Sequence, residues 1–381
     1  YSAAPLRARR RCRPGEDEEG ASAVVIVLRV AAFFAGALLV LSTLLSTTRV
    51  FVVPRASSDP LARIVFIALR RVYDVRASRA STYEGRDSIM ASYAPVGLLL
   101  YPAVCLILIQ LGYTCAYWAL GAPTWRAAYT LSGSSLFTLG FASVDTFSNT
   151  LLAFTEAGIG LVLVAILIAY LPTIYAAFSR REMAVALLEV RAGSPPSAPE
   201  MLERFHRLNR LHLLNDLWVM WEAWFVELRE THGSFAILPF FRSPEPEHSW
   251  VTAAGTVLDA ASLCASTLDL PRDPQAELCV RAGFLALRKI ARMFFIPFDE
   301  SPAPGDPISI ARDEYDAVYD RLLASGLPLK EDRDLAWRDF AGWRVNYDSV
   351  LLALAALTMA PEAPWTSDRS LRLQRGRESR A

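Results

Sequence analysis

Three stretches of the chain are long, apolar and almost free of charge. They comprise residues 30–48, 92–120 and 151–178. A helix rises about 1.5 Å per residue, so each stretch can cross a hydrocarbon core of about 30 Å, the first with no length to spare. Arginines flank the first stretch on both sides and closely follow the third. The pattern predicts a membrane protein with three transmembrane helices.

The first stretch also resembles a signal peptide, because basic residues precede its apolar middle. It is nineteen residues long, however, no Ala-x-Ala cleavage site is evident, and arginine-rich sequence follows it. We therefore predict a retained transmembrane helix at residues 30–48.

Residues 132–141, before the third stretch, are too polar for a bilayer span and too apolar for an ordinary exposed loop. Residues 125–137 are long enough for about three turns of helix, and residues 138–141 would then be extended. Non-helical backbone at membrane depth is tolerated only where it is buried in protein or lines a water-filled path. We predict a re-entrant hairpin at this place.

The hairpin motif, Thr-Leu-Gly-Phe at residues 138–141, resembles the Thr-Val-Gly-Tyr of the potassium-channel pore family. The order of elements around it extends the resemblance to about residues 91–182. A membrane protein with a chance re-entrant loop is the alternative. The resemblance implies a filter in which backbone carbonyls and the threonine hydroxyl replace the water shell of the ion. The filter residues would be Thr138, Leu139, Gly140, Phe141 and Ala142.

The same resemblance implies a homotetramer, because one hairpin supplies a quarter of a filter. Monovalent cations would be the partners that pass through it, with K⁺ as the permeant ion and no cofactor. It also implies a gating hinge in the inner helix at Gly158 and Gly160. Pro172 removes one helix hydrogen bond and would kink the same helix near its cytoplasmic end, where a gate would lie.

Two carboxylates are candidates for filter support. Glu156 is an ionisable group within an apolar helix, which is costly and usually means contact with protein or water. It would either brace the filter from behind or lie at the outer interface. Asp145 is the carboxylate nearest to the position of the family's acid, which Ser143 replaces.

The chain departs from the family at Ala142, where the family has a second glycine. That glycine takes a backbone conformation that a Cβ disfavours by about 1 kcal/mol or more. We therefore expect strain at Ala142 and a weaker preference for potassium over sodium.

Seven arginines fall within residues 54–86, interleaved with apolar residues at helical spacing. The apolar positions are Leu61, Ile64, Val65, Ala68 and Val72. They predict an amphipathic helix that contacts membrane lipid or, equally, packs on protein as a linker helix. The arginines place this segment in the cytoplasm by the positive-inside rule, which puts the C-terminal domain there and the N-terminal tail outside.

Composition agrees with a membrane part joined to a soluble part. The chain has 381 residues, is 53% hydrophobic and has a formal net charge of zero, so nothing draws it to nucleic acid. Five scattered cysteines indicate neither a disulfide framework nor a zinc site. The predicted divisions are a disordered tail (1–21), a first transmembrane and interfacial helix (22–90), the pore domain (91–182), a linker (183–199), an α-helical cytoplasmic domain (200–365) and a basic tail (366–381).

The soluble part shows helical spacing and no alternation of period two. Its apolar run at residues 350–360 is too short to span and predicts a core helix, and its tryptophans predict core or subunit contacts rather than a ligand site. Glu222, Glu227, Glu230 and His232 could bind a metal, but acids on the solvated face of an amphipathic helix explain them better. His248 has no visible partner. We predict that the protein is not an enzyme.

The sequence thus predicts an all-α, multi-pass protein of the cell membrane, with a potassium-channel-like pore unit of outer helix, pore helix, filter and inner helix. An extra N-terminal span and an α-helical cytoplasmic domain complete it. The function would be cation conduction, gated through the cytoplasmic domain. A non-conducting receptor or scaffold that keeps the channel fold is the alternative, and a membrane-bound enzyme has the least support.

Overall fold

The computed structural model describes residues 16–53, 59–272 and 274–369. All the regular elements in these ranges are helices, apart from one bridge between Leu268 and Leu329, so the predicted all-α class is confirmed. The helices are α1 (Glu16–Phe51), α2 (Pro60–Ala77), α3 (Tyr83–Ala91), α4 (Tyr93–Ala119), α5 (Trp125–Leu136), α6 (Phe147–Ala192), α7 (Ala198–Arg207), α8 (Leu214–Ser234), α9 (Trp250–Ser266), α10 (Pro274–Met293), α11 (Arg312–Ala324), α12 (Arg333–Arg344) and α13 (Asp348–Thr358). Two short 3₁₀ turns lie at Leu211–Leu213 and Leu238–Phe240.

Three helical stretches are long and apolar enough to cross a membrane, as predicted. They are Ala23–Phe51, Tyr83–Ala119 and Phe147–Ala192, and they indicate a multi-pass membrane protein. The predicted tail at residues 1–21 falls mostly on residues 1–15, outside the described residues. Residues 16–21, however, are helical rather than disordered.

The chain divides into two compact units. The first consists of the described part of Tyr1–Thr48 together with Pro102–Ile168, and the second of the described parts of Arg49–Tyr101 and Ala169–Ala381. Helices α4 and α6 each contribute to both units. Residues 183–199, predicted as a linker, lie inside the second unit, where residues 183–192 continue α6.

In the first unit, α1 and α4 meet at a pair of glycines. A Cβ added to Gly36 would lie 2.4 Å from the carbonyl oxygen of Gly112, and one added to Gly112 would meet Val40. Small residues at helix crossings of this kind let two backbones approach closely within a membrane. The guanidinium of Arg29, earlier in α1, lies 5.9 Å from the ring centre of Trp118, later in α4. Together with the contact of Gly36 with Gly112, this shows that α1 and α4 run antiparallel.

The second unit is built around α9, which the sequence analysis did not identify. Nearly all of its residues are buried, and α7, α10, α12 and α13 pack against it. A helix that is apolar on every side belongs in the centre of a core. Because α9 is rich in alanine and apolar all round, no amphipathic stripe marks it in the sequence.

Other predictions for this unit are confirmed or corrected by the structure. The apolar run 350–360 is a core helix, α13, with Leu351 and Leu354 fully buried. Trp218 and Trp221 are also fully buried, as core residues. The chain turns at residues 345–347, between α12 and α13.

That turn sets Arg344 inside the core. The guanidinium donates to Asp259 and, at 2.7 Å, to Asp348. Burial opposes the charge on Arg344, but the two carboxylates outweigh burial and keep its pKa above the usual value. Burial would likewise raise the pKa of Asp348, yet Arg344 and the hydrogen bonds from Ser309 hold it below the usual value. The core of this unit therefore contains a charged and fully bonded network.

Helix α2 confirms the predicted amphipathic helix, but its apolar residues divide between two faces. Val65 and Tyr73 are buried within the second unit, whereas Ile64, Val72 and Val75 are exposed. Asp59 caps the helix by accepting from the amide of Ala62 at 2.9 Å. One face thus packs on protein, and the other is free for a further apolar contact.

Candidate functional site

Helix α5 forms where the sequence predicts it. Thr124 caps its start, with the hydroxyl accepting from the amide of Ala127 at 3.1 Å. The helix ends at Leu136, one residue before the predicted end. Residues 137–146 then follow without regular structure, and this segment is called the α5 loop below.

The α5 loop folds back on the end of α5. The amides of Leu139 and Gly140 both donate to the carbonyl oxygen of Ser134, at 2.8 and 3.3 Å. Thr138 has a φ of 55° and Gly140 a φ of 68°. The prediction of an extended segment is therefore wrong at Thr138, where the chain turns. The last carbonyls of a helix need donors, and the loop amides supply them.

The expected strain at Ala142 is also wrong. The left-handed positions of the α5 loop are Thr138 and Gly140, and Ala142 is not one of them. Its amide instead donates to the hydroxyl of Ser134 at 3.1 Å. A Cβ at this position therefore carries no left-handed penalty. Asp145 is exposed, and its carboxylate has no hydrogen bond or ion pair with any described residue, so the structure does not join it to the loop backbone.

The tip of the α5 loop presents apolar side chains outward within the first unit. Leu139 is 63% exposed and Phe141 is 67% exposed. A soluble, isolated chain seldom exposes neighbouring large apolar residues in a loop. This surface is suited to a further protein contact.

Glu156, on α6, is fully buried against α5. Its Oε1 lies 2.5 Å from the hydroxyl oxygen of Ser132, which lies 3.1 Å from the carbonyl oxygen of Gln110. A hydroxyl has one hydrogen and a carbonyl has none. A carboxylic acid at Glu156 would complete both bonds, since it could donate to Ser132 while Ser132 donates to Gln110. Glu156 is thus bonded to α5 from within the protein, as a residue that supports the α5 loop would be.

The two glycines predicted as a hinge have different surroundings. A Cβ added to Gly160 would lie 2.1 Å from the carbonyl oxygen of Leu136, whereas one added to Gly158 would meet nothing within 4 Å. Gly160 is therefore the place where α6 passes close to the end of α5. Gly158 has no such constraint.

The lower part of α6 belongs to the second unit. Pro172 lies inside the helix and is exposed, while Ile174 and Ala177 are fully or almost fully buried. They pack in one apolar cluster with residues of α2, of α3 and of the segment 235–241, including Tyr73, Met90 and Leu238. Residues 174–177 of α6 thus pack against other helices of the second unit.

Arg181, also on α6, is buried in this region. Its guanidinium donates to the carbonyl oxygens of Leu238 at 3.0 Å and Phe241 at 2.7 Å. Glu182 pairs with it at 2.7 Å. We call Arg181 and these two carbonyls the Arg181 clamp. Its neighbour Arg180 is 55% exposed and pairs with Glu227 at the surface.

His232 lies beside the Arg181 clamp and is fully buried. Its Nε2 is 3.4 Å from Nη1 of Arg181, and its Nδ1 is 3.2 Å from the hydroxyl of Thr231. A guanidinium can only donate, so Nε2 accepts and the ring is neutral with its proton on Nδ1. Burial, aided by the charge of Arg181, lowers the pKa of His232 well below its usual value.

The structure does not bring His232 together with the three acids of α8 as a metal site. Glu227 pairs with Arg180, Glu230 lies 3.4 Å from Lys289, and Glu222 accepts from Gln275. Each of these three acids thus has a partner on another helix.

Arg242 is a functional candidate that the sequence analysis missed. It donates to Asp87 on α3, to the carbonyl oxygen of Thr358 at 2.8 Å and to that of Met359 at 3.3 Å. It follows directly after Phe241, whose carbonyl binds Arg181. One short segment therefore connects α6, α3 and the end of α13. An arginine in a Pro-rich loop carries no signal of this role in the sequence.

Comparison of the chain with known protein families, with curated proteins and with solved structures finds no match.

Proposed function

We propose that this chain is one subunit of a four-fold cation channel that conducts potassium. The observation that carries the proposal is the α5 loop: a short capped helix, set between two membrane-length helices, ends in a Thr-Leu-Gly-Phe segment bonded to its last carbonyls. Partial negative charge gathers at the C-terminal end of a helix, which favours a cation there. The resemblance to potassium-channel pores adds the expected order of elements.

The exposed tip of the α5 loop supports the four-fold assembly. One loop supplies a quarter of a filter, and its apolar side chains, Leu139 and Phe141, require a covering surface. Copies of the same loop around a symmetry axis would supply that surface.

The Arg181 clamp supports gating through the helical domain. A gate at the kink expected at Pro172 would lie in α6 shortly before Arg181. The guanidinium of Arg181 is bonded to the carbonyls of Leu238 and Phe241. A change in the helical domain would reach α6 through these bonds. Replacing Pro172 with Ala is expected to change open probability and to leave ion selectivity unchanged.

A non-conducting receptor or scaffold is the second candidate. The hydroxyl of Thr138 donates to the carbonyl oxygen of Phe137 at 2.8 Å, and the α5 loop turns back at this residue. A conducting filter lines its path with backbone carbonyls and the threonine hydroxyl oxygen. The left-handed turn at Thr138 departs from the extended backbone predicted for such a filter, which favours a loop that has a structural role only.

Potassium flux across the membrane of liposomes that contain the purified protein distinguishes a channel from a non-conducting scaffold. We expect flux down a potassium gradient in the wild type and its loss in Gly140→Val. Gly305→Val is the control, because Gly305 lies in the helical domain with open space around it. The oligomeric state of each variant is measured in parallel by size-exclusion chromatography. A tetramer without flux under any condition would support the scaffold.

A further inference from the structure

The structure brings Glu189, Glu245 and His248 together within the second unit. Glu189 lies on the last turns of α6, and the other two lie on the segment that leads into α9. One ligand atom from each residue lies within 4.8 Å of the other two. Sequence analysis found no partner for His248, because its partner on α6 is 59 residues away in the chain.

His248 is held with its Nε2 among carboxylate oxygens. The side chain is only 9% exposed, and Nε2 lies 3.1 Å from Oε2 of Glu189 and 3.6 Å from Oε2 of Glu245. Despite these distances, the buried Nε2 makes no hydrogen bond of acceptable geometry with the described residues. A buried ring nitrogen therefore lies close to two carboxylate oxygens and is bonded to neither of them.

The spacing fits a small divalent ion. Bonds of about 2.0–2.1 Å to a tetrahedral zinc ion place ligand atoms about 3.3 Å apart. Two of the three separations, 3.1 and 3.6 Å from Nε2, lie on either side of this value, and the third, between the two carboxylate oxygens, is 4.8 Å or less. Calcium takes six to eight oxygen ligands and is therefore disfavoured by a set that includes an imidazole nitrogen.

Charge also favours a cation at this place. Among the described residues, the ion pairs of Glu189 and Glu245 are those with His248, and no arginine or lysine neutralises either acid. The next acid, Glu247, is engaged separately, since it accepts from the hydroxyl of Ser194 at 2.9 Å. Two carboxylates and one imidazole leave a net negative site unless a metal binds.

We propose that Glu189, Glu245 and His248 bind one divalent transition-metal ion of the zinc class, which fastens the end of α6 to the segment before α9. Solvent would complete its coordination, because three protein ligands leave a position open. The site is independent of conduction. Any effect of the metal on ion flux rests on the proposed channel function, whereas metal binding itself can be measured whether or not the protein conducts ions.

Zinc titration of the purified full-length protein, after removal of metals with a chelator, tests the proposal by calorimetry. We expect one high-affinity equivalent per chain. His248→Ala should weaken binding by at least about 100-fold, since loss of a direct ligand exceeds the loss of a supporting contact. Glu245→Gln, on an exposed side chain, keeps an oxygen ligand but loses its charge, so it should weaken binding less than His248→Ala does, by about 10-fold or more. His212→Ala and Glu247→Gln are the controls and should bind as the wild type does.

Cobalt(II) supplies a second measurement, because a site of nitrogen and oxygen ligands lacks the sulfur charge-transfer absorption of a cysteine site. Absence of high-affinity binding in the wild type would overturn the proposal. Undiminished binding in both His248→Ala and Glu245→Gln, or a sulfur charge-transfer band, would also overturn it by assigning the metal to other residues.

Discussion

Glu156 and Arg181 are two charged residue types buried on one helix, α6, in different ways. Glu156 lies in the first unit and has one short contact, with Ser132, while its Oε2 is buried without a hydrogen bond to the described residues. Arg181 lies in the second unit and donates to two backbone carbonyls beside an acidic neighbour. An unpaired buried charge is costly, whereas a paired and bonded one is tolerated. The comparison indicates that α6 carries a neutral Glu156 near its start and a charged Arg181 about three turns before its end.

The largest expected effect comes from breaking the Arg181 clamp. Arg181→Met would leave two carbonyls and Glu182 unpaired in the core, and we expect a loss of about 3–5 kcal/mol in the free energy of unfolding. Arg180→Met is the matched control, because its exposed pair contributes about 1 kcal/mol or less. Thermal unfolding followed by circular dichroism measures both. Equal losses would contradict the assignment of the clamp to Arg181.

The close approach of α6 to α5 is tested by the two glycines. Gly160→Ala forces a Cβ toward the carbonyl of Leu136 and should destabilise the protein by about 1–3 kcal/mol. Gly158→Ala has open space and a better helix propensity, so it should be neutral or stabilising. The two unfolding midpoints in detergent decide the point. A stable Gly160→Ala variant would mean that α5 does not pack there.

His232 makes the clamp sensitive to acid. In the unfolded chain its pKa is about 6.5, and in the folded chain it is lower, so below pH 6.5 the unfolded state binds more protons. The contribution of neutral His232 to the free energy of unfolding is complete above pH 6.5. It falls as the pH drops, by up to about 1.4 kcal/mol per pH unit.

Unfolding midpoints between pH 8 and pH 5 measure this dependence. We expect His232→Gln to flatten the acid limb of the curve, whereas His212→Ala, at an exposed position, should retain it. A curve for His232→Gln that matches the wild type would assign the acid loss to other groups.

A smaller effect on stability is expected at Glu156, near the start of α6. Glu156→Gln can donate to Ser132 as a carboxylic acid would, so its stability should be close to that of the wild type. Glu156→Leu loses that bond and should cost about 1 kcal/mol. The same thermal measurement compares them. A large loss of stability in the Gln variant would contradict donation from Glu156 to Ser132.

The smallest effect is expected at Ala142. Because this residue is outside the left-handed region, Ala142→Gly relieves no strain and should change stability by less than about 0.5 kcal/mol. Reversal potentials under potassium and sodium bi-ionic conditions should be the same for both proteins. A sharper potassium preference in the variant would show that assembly moves this residue into the left-handed region.

The elements of the membrane part could be predicted because each depends on local pattern. Apolar length sets the three long helices, and the more polar stretch between the second and the third of them marks α5 and its loop. Capping residues and helix-breaking residues act within a few positions, so the sequence alone locates them. The resemblance of the Thr-Leu-Gly-Phe segment likewise depends on consecutive residues.

Contacts between distant residues were decided only by the tertiary structure. The partner of Glu156 is 24 residues away, that of Arg181 is 57 residues away at Leu238, and that of Arg344 is 85 residues away at Asp259. A buried charge looks like an exposed one in sequence, since both are single polar letters on a helix. Helix α9 was hidden for the opposite reason, because burial on all sides removes the amphipathic signal. Local chemistry therefore determined the helices of this protein, and long-range packing decided which of their polar residues are enclosed and what each of them binds.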